Sequence, residues 1–122
     1  MYKRQRSEPS VAADVCLRQV LSAVSRPGRT EAATPGVTVA YEPYWAIGAP
    51  RPAPTGYVAE VCELVRTALT DELAEFAIIY GGSAGPGLLS ELQGSVDGLF
   101  LGRFAHDPQA VAGVLAEAAA RR

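Results

Sequence analysis

Three short apolar runs separated by stretches of helical periodicity constrain this chain more than any other feature. Val37–Tyr41 (VTVAY) and Phe76–Tyr80 (FAIIY) are rich in β-branched and aromatic residues, as strands are, and Val96–Leu101 (VDGLFL) is a third, mostly apolar run. Between and around them, apolar residues recur every three or four positions. Val11, Val15, Leu17, Val20, Leu21 and Val24 mark a first helix starting at Glu8-Pro9-Ser10 and stopping by Pro27-Gly28. Val58, Val61, Leu64, Val65, Ala68 and Leu69 mark a second from about Thr55, and Leu88, Leu89 and Leu92 a short third. A fourth follows Asp107-Pro108, with Asp107 a natural N-cap, Pro108 in the first turn and Val111, Val114 and Leu115 as its buried face. Strands separated by helices pair in parallel through right-handed crossovers. The reading is an α/β fold whose apolar strands are covered by helices.

Parallel pairing brings the carboxyl ends of all strands to one sheet edge, where ligands bind in such folds. Each strand here ends in something chemically notable: Glu42, then Gly81-Gly82-Ser83, then Gly102-Arg103. Glu42 is followed by Pro43 and an apolar loop tip, Trp45-Ala46-Ile47-Gly48. A carboxylate beneath an apolar lid suits proton transfer, because excluding water raises its pKa and protects reactive intermediates. The plainer alternative is a carboxylate paired with Arg or Lys at the rim. Gly81-Gly82-Ser83 leaves backbone N–H groups open to an anion with a helix starting just after, or it is an ordinary glycine turn. Tyr41, Tyr44 and Trp45 read first as packing and hydrogen-bonding residues of the lid, and His106 as a solvated loop histidine.

Composition removes other classes. The net charge of −2, with basic residues scattered apart from Lys3-Arg4-Arg6 and Arg121-Arg122, is a poor footprint for nucleic acid. No apolar run approaches the ~20 residues of a membrane span and the N-terminus has no hydrophobic signal core, so a cytoplasmic location is expected. Cys16 and Cys62 fall among apolar neighbours and read as buried free thiols; two cysteines with one histidine make no zinc site. Residues 1–9 read as a loose arm and 10–122 as the folded domain. Arg26–Gly36 reads as a loop, and Pro50, Pro52 and Pro54 stiffen the exit from the lid.

Ala40-Tyr41-Glu42-Pro43-Tyr44-Trp45-Ala46-Ile47-Gly48 resembles the catalytic-glutamate and mobile-loop segment of triosephosphate isomerases. Ile79-Tyr80-Gly81-Gly82-Ser83 follows at the family's spacing, and Val96-Asp97-Gly98-Leu99-Phe100-Leu101-Gly102 resembles its eighth strand. The resemblance implies the C-terminal part of a (β/α)8 barrel, strands six to eight with helices five to eight. It also implies interconversion of a phosphorylated ketose and aldose without metal or organic cofactor. Glu42 would carry the proton between adjacent carbons. Trp45, Ala46 and Ile47 would lie in the closing lid, with Gly48, Ser83, Gly102 and Arg103 at the phosphate, where such barrels commonly bind it.

Three departures accompany the resemblance. The family's catalytic lysine and histidine belong to strands one and four; Lys3 and His106, the only lysine and histidine here, match neither. Ala49-Pro50-Arg51 stands where the family usually has Thr-Gly-Lys, and Arg103-Phe104 where it has a small pair. The last two resemble a divergent branch acting on other short sugar phosphates, such as a tetrulose phosphate. Three strands cannot close an eight-stranded barrel and leave two sheet edges and one apolar sheet face open, so the chain is expected to be a truncated isomerase that binds a complementing half-barrel, self-associates or is unstable. The alternative function is a catalytically incomplete module that binds phosphate or only associates.

Overall fold

The computed structural model describes residues 8–25, 36–50 and 53–121. The expected loop at 26–35, most of the expected arm, and Arg51 and Pro52 lie outside these residues. The elements in order are α1 (Pro9–Val24), β1 (Val37–Tyr41), α2 (Thr55–Glu72), β2 (Phe76–Tyr80), α3 (Leu88–Leu92), β3 (Gly98–Leu99) and α4 (Pro108–Ala120). The strands form one parallel sheet in the order β1-β2-β3, with Val37 opposite Phe76, Tyr41 opposite Tyr80 and Ile79 opposite Gly98. The parallel α/β reading therefore holds. Helix α1 begins at Pro9, inside the expected arm, because proline's fixed φ suits the first helical turn and its missing N–H costs nothing there.

Side chains alternate across a strand, and the burial follows that alternation. Val39, Tyr41, Ile78 and Tyr80 point into the core, where they meet Val58, Val61, Cys62, Val65 and Leu69 from one stripe of α2. Helix α1 packs along α2, contributing buried Ala13 and half-buried Leu17, Val20 and Leu21. Thr38 and Ala40 face the other way and are exposed; Ala77, Ile79 and Gly98 are half-buried. Among the described residues helices cover one face of the sheet and the other is open.

The third strand is shorter than its apolar run. Backbone bonds continue the ladder on either side of β3, from Asp97 N–H to Ile78 O at 2.7 Å and Phe100 N–H to Tyr80 O at 2.9 Å. The Asp97 carboxylate, however, takes the Ile78 N–H itself at 2.8 Å, so a side chain replaces a backbone partner there. The same carboxylate receives Arg66 from α2 at 3.0 Å, and Arg66 also lies 5.8 Å from the Phe76 ring centroid. Burial alone raises the Asp97 pKa, but the Ile78 N–H and the Arg66 guanidinium outweigh it and hold the carboxyl below its ordinary value.

Helix α4 starts as expected: Asp107 accepts from Gln109 N at 3.0 Å and Ala110 N at 3.4 Å. Its expected buried face is corrected. Leu115 is 64% exposed, and Val111 and Val114 are half-buried. Two charged residues near its end hold α3 from outside. Glu117 accepts from Gly87 N, Ser90 N and Ser90 Oγ at 2.8–2.9 Å, supplying the cap that Gly87 has no side chain to make. Arg121 donates to Gln93 O and Val96 O just beyond the other end. Cys62 is buried, and its thiol is pushed up to about 12 chiefly by desolvation; Cys16, also raised by burial, is only half-buried.

Candidate functional site

The carboxyl ends of the three strands open onto one cavity of about 560 Å³. Its wall includes Glu42 after β1, Ile47 and Gly48 of the lid, Gly81 and Ser83 after β2, and Gly102 and Arg103 after β3. Residues that are 60 positions apart in sequence meet here because parallel strands must end together. Glu91 of α3, Phe100 and Phe104 complete the side walls. The expected short helix does not begin directly after Ser83: residues 84–87 intervene, and the cavity is lined by their loop and by Leu88.

Glu42 rests on bare backbone. A Cβ on Gly81 would fall 2.7 Å from Glu42 Oε1 and 2.8 Å from its Cγ, so glycine is what lets the carboxylate lie over the end of β2. Glu42 forms no ion pair among the described residues, which removes the rim-pair alternative within them. The side chain is exposed rather than enclosed, because it stands on the open wall of the cavity. The water-excluded setting expected for it is not formed by these residues.

The lid is tied at both ends to the residues around Gly82. Ser83 Oγ lies 2.9 Å from both Ala46 O and Ala49 O, and its single hydrogen can serve one of them at a time. Ser83 adopts φ +57, a left-handed conformation that is costly for a residue with a Cβ, and these bonds to the lid offset it. At the far end Ala53 N–H donates to the buried Tyr80 hydroxyl at 3.3 Å. Burial raises the Tyr80 pKa to about 12 despite that N–H donor, so Tyr80 stays a neutral phenol. Tyr41 is also raised by burial and by a hydrogen bond with Tyr57, and Trp45 packs edge-on against Tyr57 at 5.4 Å.

Of the expected site residues, Glu42, Ile47, Gly48, Ser83, Gly102 and Arg103 converge on the cavity. Trp45 and Ala46 do not line it; Ala46 is fully buried and Trp45 is half-buried in the aromatic cluster. Tyr41 is part of that cluster, whereas Tyr44 is exposed. His106 is exposed in the 3-10 turn Arg103–His106, away from the wall. Among the described residues no lysine or histidine lines the cavity, and no group of three or more His, Cys, Asp or Glu could hold a metal. No described helix is long and apolar enough to cross a membrane. Sequence reasoning missed Glu91, Phe104 and the Tyr80–Ala53 tie. Tyr80 carried a signal as the last inward-facing residue of its strand, and Phe104 as half of the pair that departs from the family's small residues; Glu91 carried none.

The triosephosphate isomerase family profile matches residues 3–118. The chain belongs to the triosephosphate isomerase family. It is 48% identical over 118 residues to L-erythrulose-1-phosphate isomerase of Pectobacterium atrosepticum, a match covering 95% of this chain and 45% of that protein. It is 36% identical over 115 residues to the enzyme of the same name from Rhizobium etli, covering 88% of this chain and 42% of the relative. A probable triosephosphate isomerase 2 of Listeria monocytogenes is 42% identical over 85 residues, 65% of this chain and 33% of its own length. The chain thus spans less than half the length of these curated relatives.

Proposed function

We propose that the cavity is the base-and-phosphate side of a sugar-phosphate isomerase site. The observation that carries the reading is the convergence of one uncommitted carboxylate, Glu42, with the backbone of Gly48, Ser83 and Gly102 in one cavity. A carbonyl carbon's neighbouring C–H becomes acidic enough for a carboxylate when the resulting enediolate is stabilised. Glu42 would take that proton and return it to the adjacent carbon, while backbone N–H groups hold the phosphate so that the reacting carbons stay over the carboxylate. The identity to the L-erythrulose-1-phosphate isomerases supports a four-carbon substrate, L-erythrulose 1-phosphate, over a triose phosphate.

In this proposal β1 to β3 are the sixth to eighth strands of an eight-stranded barrel. The open face around Thr38 and Ala40 would be covered by five further strands, from a complementing segment or by association, and those strands would bring the electrophile that polarises the carbonyl. The cavity wall has no lysine or histidine among the described residues, which favours the second reading for the chain alone: a module that holds the sugar phosphate without turning it over.

Dissociation constants for L-erythrulose 1-phosphate and for unphosphorylated L-erythrulose test both readings at once. The phosphate should tighten binding by at least about tenfold, the worth of one charge-assisted contact. Equal, millimolar-or-weaker binding of the two would contradict the proposed site.

A further inference from the structure

We infer that the Arg103 side chain, beyond its backbone, is the charged ligand of the substrate's phosphate; the inference rests on the sugar-phosphate reading of the cavity. Among the described residues the cavity wall carries two carboxylates, Glu42 and Glu91, and one guanidinium, Arg103. A phosphate monoester brings about −1.5 to −2 charges at neutral pH. Backbone N–H groups are dipoles without net charge, so a dianion entering beside two carboxylates needs a cation on the wall.

The other described arginines are committed elsewhere. Arg18 donates to Asp14 O, Arg66 to Asp97 and Ser95 O, and Arg121 to Gln93 O and Val96 O. Arg103 has no such partner among the described residues, and its side chain is exposed. Its backbone is nonetheless anchored. The Phe104 ring lies against Gly85, where a Cβ would fall 2.6 Å from two ring carbons. Ala105 N–H closes the turn onto Gly102 O at 3.0 Å. A fixed root with a free head suits a planar fork of donors that takes two phosphate oxygens together. The residue therefore supplies charge to a site whose remaining donors supply geometry.

The test is titration of the full chain with inorganic phosphate, followed by the amide shifts of Gly48, Ser83 and Gly102, for the wild type, Arg103→Met and Arg103→Lys. The wild type should saturate, Arg103→Met should bind about tenfold or more weakly, and Arg103→Lys should fall between, keeping charge without the fork. Shifts of the three amides with equal affinity in all variants would overturn the role of Arg103 while leaving the phosphate site standing. No shift at those amides in the wild type would remove the phosphate site and the inference with it.

Discussion

Replacing Gly82 with alanine should loosen the lid and the core together, through one buried ring. A Cβ at residue 82 would lie 2.3 Å from Tyr80 Oη, 2.8 Å from Cζ and 3.1 Å from Ala46 Cβ. Tyr80 and Ala46 are fully buried, so neither can swing into solvent. Restoring ordinary contact moves the hydroxyl by about 1 Å, which breaks its 3.3 Å bond from Ala53 N–H. Overpacking costs about 1–3 kcal/mol, and a buried N–H left unpaired about 1–3 kcal/mol more. The stiffer unfolded chain returns about 0.4–1 kcal/mol, leaving about 1–5.6 kcal/mol of net destabilisation.

Urea unfolding followed by far-UV circular dichroism should show a lower midpoint with an unchanged slope. Gly81→Ala is the contrast. Its Cβ meets the exposed, flexible Glu42 carboxylate, so stability should change by less than about 1 kcal/mol. Tyr80→Phe removes the atom nearest the new methyl, and the Gly82→Ala cost should shrink in that background by a coupling of about 0.5–3 kcal/mol. A Gly82→Ala penalty below about 0.5 kcal/mol, or one matched by Gly81→Ala, would refute the reasoning.

The Asp97 carboxyl titrates lower in the folded chain than in the unfolded one. Its contribution is therefore full above the ordinary carboxylate pKa near 4 and is lost as pH falls through the folded value. Asp97→Asn should flatten the dependence of the urea midpoint on pH below about 5, and parallel curves for both proteins would count against the assignment. Glu117→Ala removes three hydrogen bonds to Gly87 and Ser90; on this exposed helix it should cost about 1 kcal/mol and speed amide exchange at Gly87 and Ser90 first. A thiol reagent at pH 8 should modify half-buried Cys16 well before buried Cys62, whose modification should track unfolding; equal rates would contradict the placement of Cys62 in the core.

How far the sequence reaches is set by what kind of signal each element carries. β1 and β2 are legible to the residue because a glycine or a charge bounds an uninterrupted apolar run. The third run is legible only in position. Its Asp97 carboxylate takes a backbone donor of β2, a bond that depends on β2 and leaves no local trace. Helical periodicity located α4, but a period shows which side chains share a face and says nothing of what covers it. Leu115 is on the expected face and exposed.

The site divides the same way. Parallel topology alone brings Glu42, Ser83 and Gly102 to one edge, so their meeting follows from sequence. Glu91 and Phe104 reach the wall from α3 and from a 3-10 turn, and Glu117 holds α3 across about thirty residues; none of these distances is written in spacing. Glu42 was legible as a carboxylate at a strand end. Its exposure was not, because enclosure depends on elements that these residues do not supply.

In the proposed function Glu42 moves a proton on a sugar phosphate held in this cavity. Incorporation of deuterium from D₂O at the carbon beside the carbonyl of the proposed substrate, measured by mass spectrometry with the chain complemented by a segment that supplies the five further strands and with the same complex carrying Glu42→Gln, tests it most directly. Exchange faster than buffer that falls to the buffer rate in Glu42→Gln, with sugar-phosphate binding retained, is the predicted result. Equal exchange in the two proteins would contradict it.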